Sequence, residues 1–197
     1  MDDLDRWESR YTTGDTPWDG NVVSADLVDF VAARRIGPRV LEIGCGTGTH
    51  AVWLAARDLS VVAVDLAPTA IARARERASA AGVAADFRVG DALGPLGGGP
   101  YDLVFDRGVL HTMEGEQRAQ LAGRVHDALA PDGGWWLSLL GSADEASENP
   151  GPPRWTLAEI AAALEPRFRV ERVVATTFDD TTLGWSPKAW RVEARPR

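Results

Sequence analysis

Short apolar runs recur along this chain, separated by stretches in which apolar side chains return every third or fourth position. Val61-Val62-Ala63-Val64, Leu103-Val104-Phe105 and the run from Trp135 to Leu140 are apolar on consecutive positions, as strands covered on both faces of a parallel sheet are. Val40-Leu41-Glu42-Ile43 reads the same way but carries one acid. Residues 86–89 form a shorter strand, and two last strands are expected around 170–176 and 189–194. The intervening stretches read as helices. Residues 21–33 place Val23, Leu27, Phe30 and Val31 on one face, with Gly37-Pro38 as a stop. Pro68 suits a first helical turn, and the face of Ile71, Ala74, Ala78 and Ala81 is small enough to lie close on a sheet until Gly82 ends the helix. Further helices are expected from Thr49 or His50 to Arg57 and over 116–129, and Thr156-Leu157-Ala158-Glu159 has the spacing of a capping box.

Strands alternating with helices predict one α/β domain over residues 1–197, a doubly wound Rossmann-like sheet of seven strands. The length suits a single domain, for which about 100–200 residues is usual. The first twenty residues read as an ordered cap, because Trp7, Tyr11 and Trp18 are costly to leave in water. The Gly-rich loop 93–100 is expected to be exposed and mobile, and the long Gly/Ser/Pro connection 141–155 to serve the substrate side. Of Trp135 and Trp136, one is expected in the core; Trp185 and Trp190 suit either the core or a substrate pocket.

The most informative segment is Gly44-Cys45-Gly46-Thr47-Gly48, which follows the first strand and opens a helix. Such a turn lets bare backbone approach a ligand. The nicotinamide fingerprint requires its third glycine at the position of Thr49, whereas here it comes one residue early, at Gly48. Asp65 ends the second strand, beside the loop, where a carboxylate can accept both hydroxyls of a ribose. Gly90-Asp91-Ala92 after the third strand, Tyr101 to Asp106 in the fourth and Leu129 to Gly134 before the fifth complete an ordered series. That series resembles the class I S-adenosylmethionine-dependent methyltransferases.

The N-terminal pattern Trp7-Glu8-x-x-Tyr11-x-x-Gly14-x-Thr16-Pro17-Trp18-Asp19-Gly20 is similar to the start of the thiopurine, thiol and halide methyltransferase superfamily, and Asp106-Arg107-Gly108 to its thiopurine branch. The resemblance implies a mostly parallel sheet with the last strand antiparallel, S-adenosylmethionine as donor and S-adenosylhomocysteine as product. It implies a lid over residues 1–20 in which Trp7 and Tyr11 cover the cofactor and Trp18 sits where cofactor and acceptor meet. It further assigns Glu42, Gly44, Gly46, Gly48, Asp65, Leu66, Asp91, Ala92 and Asp106 to the cofactor, with Asp91 on the adenine side, and places Arg107 near the reacting centre. The glycine loop is the full general form, where the thiopurine enzymes carry a sparser one, and the stretch Val109-Leu110-His111-Thr112-Met113 matches general bacterial methyltransferases better than the halide branch, which leaves the acceptor open.

Composition narrows the partners. A formal charge of −8 disfavours a nucleic-acid surface, and no apolar run reaches the length of a membrane span. Cys45 is the only cysteine, so no intrachain disulfide forms and a reducing, cytoplasmic setting is expected. No His/Cys cluster has metal-ligand spacing. Small-molecule acceptors are therefore expected, with the oligomeric state open and compatible with a monomer. A thiol needs little base assistance, and a cation such as Arg107 would favour its thiolate. A hydroxyl would need a general base, for which His111 is best placed, unless that histidine is structural. The alternatives are transfer to oxygen or nitrogen of a metabolite and a non-catalytic domain that binds the donor.

Overall fold

A computed structural model describes residues 2–144, 151–179 and 181–197. Its centre is a sheet in the order β3-β2-β1-β4-β5-β8-β7. The strands are β1 (Arg39–Ile43), β2 (Ser60–Asp65), β3 (Asp86–Val89), β4 (Leu103–Arg107), β5 (Trp135–Ser142), β6 (Arg154–Trp155), β7 (Phe168–Thr177) and β8 (Lys188–Pro196). Only β8 runs against its neighbours β5 and β7; the pairings among β1 to β5 are parallel. The doubly wound α/β architecture with one antiparallel strand is thus as expected, but the sheet has an eighth strand. β4 stops opposite Leu139, so Gly141 and Ser142 extend past it, and the two-residue β6 pairs with them. The connection 141–155 is correspondingly shorter at both ends than its composition suggests; 145–150 lie outside the described residues.

Among the described residues six α-helices flank the sheet: α1 (Asp3–Thr13), α2 (Ala25–Ala33), α3 (Thr49–Ala55), α4 (Pro68–Ala81), α5 (Glu116–Ala128) and α6 (Leu157–Leu164). One core layer joins Leu41, Ile43, Val104, Trp136 and Leu140 of the strands to Leu121 and Val125 of α5 and Ile160 and Leu164 of α6. The other joins Val40, Leu103, Phe105, Leu137 and Leu139 to Leu27 and Phe30 of α2, Leu54 of α3 and Ile71 and Ala74 of α4. Alternate strand residues thus feed opposite layers, as the pleat dictates. Trp136 is the buried member of its pair, while Trp135 lies half-buried on the opposite face, edge-on to Phe30. None of the described helices is long and apolar enough to cross a membrane.

Helix ends differ from the periodicity for local reasons. α2 begins at Ala25 rather than at 21, because Asn21 has a φ of 57°, which a right-handed helix cannot include. α3 ends at Ala55, two residues before the expected Arg57. Ala81, assigned to the buried face of α4, is exposed in its last turn. The Thr156–Glu159 capping box is formed. The loop 93–100 is not uniformly exposed: Leu96 is buried and the Tyr101 hydroxyl donates to the Gly97 carbonyl at 2.7 Å.

The first residues form a helix that the apolar pattern does not announce, capped by the Asp2 side chain and closed by Gly14 in the left-handed region. Glu8 accepts from the Thr69 backbone N–H at 3.0 Å and from its hydroxyl, fastening α1 to the start of α4. Asp19 accepts from the Thr47 hydroxyl at 2.8 Å, and the Pro17 carbonyl accepts from Thr182 N–H at 2.9 Å. The segment is thereby tied to α4, to the glycine loop and to the β7–β8 connection.

α2 is fastened to β8 by a buried ionic group. Fully buried Glu193 accepts from Arg34 and forms an ion pair at 3.0 Å with Nε of Arg191, whose Nη1 reaches Asp26 at 3.2 Å. Breaking a buried pair leaves uncompensated charge and costs about 3–5 kcal/mol. Glu193→Ala is therefore expected to lower unfolding stability by that order in urea titrations, far more than the exposed pair Arg88–Asp86 would when broken.

Candidate active site

Strand order reverses between β1 and β4, and ligands of open α/β sheets bind outside the strand ends at such a point. A cavity of about 580 Å³ lies there, within the ~300–1,000 Å³ usual for small-molecule sites. Its floor is the loop after β1. Gly44, Gly46 and Gly48 have φ of 65°, 53° and 81°, so the loop is in the left-handed region at three alternate residues. Cys45 N–H bonds the Val64 carbonyl at 3.0 Å, clipping the loop to β2. Cys45 is buried and its thiol is pushed well up, first by desolvation and then by the nearby Glu42 and Asp65 carboxylates; it is inert as a nucleophile.

Asp65 ends β2 as expected. One oxygen accepts from Gly46 N–H at 2.8 Å and the other from Ala67 N–H at 2.9 Å, which leaves acceptor capacity on both for the cavity it lines. Burial raises its pKa, against the pull of those backbone bonds. Leu66, Asp91 and Ala92 line the same cavity. Asp91 is exposed and also caps its own turn, accepting from Leu93 N–H at 2.8 Å.

Glu42 lies at the floor, 2 % exposed. Its Oε1 is 3.3 Å from His50 Nδ1, but Oε2 has no hydrogen-bond partner among the described residues, nor has the buried hydroxyl of Thr49 beside it on the cavity wall. A buried acceptor left unpaired costs about 1–3 kcal/mol, and more when charged. These atoms suit a ligand that brings its own donors.

The residues expected in the lid reach the cavity too. Trp7, Tyr11 and Trp18 all line it. Trp18 stands edge-on to Trp7 at 5.4 Å and donates its indole N–H to the Tyr11 hydroxyl at 3.2 Å. Burial, followed by the Asp65 charge, keeps that phenol protonated far above its ordinary range.

At the opposite end, Arg107 finishes β4 with its guanidinium 4.6 Å from the centre of the Phe178 ring. His111 is buried; its Nδ1 accepts from Gly141 N–H at 2.9 Å, which places the ring proton of the neutral imidazole on Nε2. Desolvation, with the Arg107 charge second, holds its pKa down at about 3. Both line the cavity, together with Phe178, Thr181, Leu183 and Pro187 of the β7–β8 connection and with Gly151, Pro152 and Pro153.

Asp106, expected among the cofactor ligands, does not line the cavity. It points into the core, fully buried, accepting from Val109 and Leu110 N–H and from the Trp136 indole at 2.8 Å. It holds the turn after β4, and burial raises its pKa to about 6 despite those bonds. A strand-end acid and a core acid look alike in sequence. Here the difference is that β4 runs on to Arg107, which turns Asp106 inward. Trp190 is core, donating to the Trp155 carbonyl at 2.9 Å, and Trp185 does not line the cavity. His50, two residues past Gly48, reads from the sequence as a residue that caps the helix or touches the cofactor, whereas the β7–β8 residues Phe178, Thr181, Leu183 and Pro187 carry no signal in the pattern.

The thiopurine S-methyltransferase family model matches residues 2–194. The chain belongs to that family. Similar proteins include a probable thiol methyltransferase of Arabidopsis thaliana, 30% identical over 81% of this chain and 71% of its own length. A thiocyanate methyltransferase of Brassica oleracea is 25% identical over 96% and 76% respectively. A solved structure described by the conversion of a disulfide bond into a thioacetal group during echinomycin biosynthesis is 30% identical, with a TM-score of 0.80 over 91% of this chain and 84% of that one. The chain is an S-adenosylmethionine-dependent methyltransferase, and its site fits the donor. Acidic Glu42 and Asp65 suit a ligand carrying positive charge, and the orphaned Oε2 of Glu42 lacks only a donor.

Two substitutions separate the carboxylates. Charge-assisted bonds are worth about 1.5–3 kcal/mol each, so Asp65→Ala is expected to weaken S-adenosylhomocysteine at least tenfold in calorimetry. Asp106→Asn is expected to leave that affinity within twofold but to lower stability. Folded Asp106 binds its proton more tightly than the unfolded chain does, so its contribution is complete below 3.8 and is lost as pH rises through about 6. In Asp106→Asn, unfolding stability followed from pH 4 to 7 should lose that slope.

Proposed function

We propose that this methyltransferase acts on a small molecule at a sulfur that is already anionic when transfer occurs. The observation that carries this reading is the pairing at the acceptor end: a cation, Arg107, beside a histidine that is not poised as a base. His111 Nδ1 is occupied by Gly141 N–H and Nε2 carries the proton, so neither nitrogen is free to accept one. A thiol, with an ordinary pKa of about 8.5, ionises with little help, and a guanidinium nearby extends its thiolate to lower pH. The thiol, thiocyanate and disulfide chemistry in the names of the relatives agrees with that choice.

In this reading Asp65 takes the ribose hydroxyls, Leu66, Asp91 and Ala92 line the adenine side, and Glu42 receives the ammonium of the amino-acid end. Gly44, Gly46 and Gly48 let the backbone come close to the donor. Trp7 and Tyr11 close over it and exclude water, with Trp18 at the junction with the acceptor. Bound S-adenosylmethionine supplies an electrophilic methyl on its sulfonium, open to in-line displacement. The chain's own contribution is to hold the acceptor sulfur behind that methyl, between Arg107 and the apolar wall of Phe178, Pro152 and Pro153. An oxygen acceptor is the second reading, because a relative from Mycobacteroides abscessus, 27% identical over 80% of this chain, is named for a substrate bearing a hydroxyl group.

The test starts from a panel of thiols, phenols and halides with labelled donor, then follows variants on the best acceptor across pH 6 to 9. His111→Asn keeps an acceptor for Gly141 N–H and is expected to hold kcat within about threefold, well short of the 10²–10⁴ lost with a general base. Arg107→Gln raises the pKa of the bound thiol by about 1–3 units. Its kcat/KM should fall at least tenfold at pH 7 and recover toward pH 9. Collapse of His111→Asn at every pH, with Arg107→Gln near wild type, would contradict the sulfur reading and favour oxygen.

A further inference from the structure

His50 is the second residue of α3, and its imidazole bridges the start of α2 and the end of β1. Nε2 accepts from the backbone N–H of Ser24, the N-cap of α2, at 3.3 Å. A neutral imidazole that accepts at Nε2 carries its proton at Nδ1, and Nδ1 is 3.3 Å from Glu42 Oε1. The Phe105 ring stands edge-on to the imidazole at 5.2 Å and fixes its plane. Ser24, His50 and Glu42 are all buried. One oxygen of Glu42 is therefore held from behind, and the other is left unpartnered on the cavity floor.

We propose that His50 is a positioning residue: anchored by Ser24, it holds the Glu42 carboxylate with Oε2 toward the cavity and thereby sets how tightly the site grips the amino-acid end of the donor. This rests on the reading of Glu42 as the receiver of the ligand ammonium. A long carboxylate side chain at a strand end has several rotamers, and pinning one oxygen removes that freedom before the ligand arrives. Asp65 is already oriented by two backbone N–H groups, whereas among the described residues Glu42 has the His50 side chain against it.

Two ligands separate positioning from mere support of the fold. S-adenosylhomocysteine carries the amino-acid end; 5′-methylthioadenosine shares the adenosine and sulfur but lacks it. Calorimetry on the full chain is expected to show His50→Leu weakening S-adenosylhomocysteine at least tenfold while methylthioadenosine stays within twofold, which also reports that the site is folded. His50→Asn, whose amide N–H replaces Nδ1, should restore most of the loss. Glu42→Gln should show the same ligand preference, and adding it to His50→Leu should cost little more, as for residues acting through one contact. Equal weakening of both ligands by His50→Leu, or no weakening of either, overturns the positioning role. If Glu42→Gln alone leaves the ratio of the two affinities unchanged, the reading of Glu42 itself fails. If Glu42→Gln changes that ratio and His50→Leu does not, only the proposal for His50 fails.

Discussion

Everything at this site depends on one tight piece of backbone, the turn from Gly44 to Gly48. Its three left-handed residues have no room for a side chain, and each is crowded by a different part of the fold. A Cβ on Gly44 would lie 2.2 Å from the Val109 side chain after β4, and one on Gly46 would lie 2.9 Å from the Tyr11 hydroxyl of the N-terminal segment. On Gly48 it would meet Ala74 of α4 at 2.8 Å. Packing at that density tolerates no added atom without displacement. The turn is therefore where the sheet, the N-terminal segment and the helical layer meet. Asp65 completes it by taking the Gly46 N–H on the same carboxylate that faces the cavity.

Charge divides the cavity into two ends. Glu42 and Asp65 sit under the glycine loop, where burial and mutual repulsion raise the cost of leaving Asp65 ionised and alone. A donor with a sulfonium and an ammonium offsets that cost directly. Arg107 sits at the other end, against Phe178, where its charge lowers the pKa of His111 and favours an anion. In the proposed reading, donor and acceptor are thus drawn to opposite ends of one space. The His50 bridge extends this arrangement into α2, which the Glu193 group fastens in turn to β8.

Much of this was legible in the residues. β3 spans the expected 86–89, and α4 runs from Pro68 to the glycine that stops it, because proline and glycine act locally through backbone angles. Glu42, Asp65, Arg107 and His111 come together because strand ends in a doubly wound sheet share one edge. What could not be read was direction. Asp106 and Asp65 both end or nearly end a strand, yet one faces the core and the other the cavity, and the pleat decides this through the last residue of each strand. The capacity of His111 was equally hidden. Its tautomer depends on Gly141, which is distant in sequence and reaches it only through the path of β5. The β7–β8 connection carries no periodic signal, so its contribution of Phe178 and Pro187 to the wall appears only in three dimensions.

The central claim is that the donor occupies the space between the glycine loop and the N-terminal lid. A crystal structure with S-adenosylhomocysteine tests it most directly. The account predicts the ribose hydroxyls at Asp65, the ammonium at Glu42 Oε2, Trp7 and Tyr11 packed over the ligand, and the sulfur facing Arg107. A ligand bound elsewhere, or bound here with the amino-acid end away from Glu42 and the lid displaced, would contradict it.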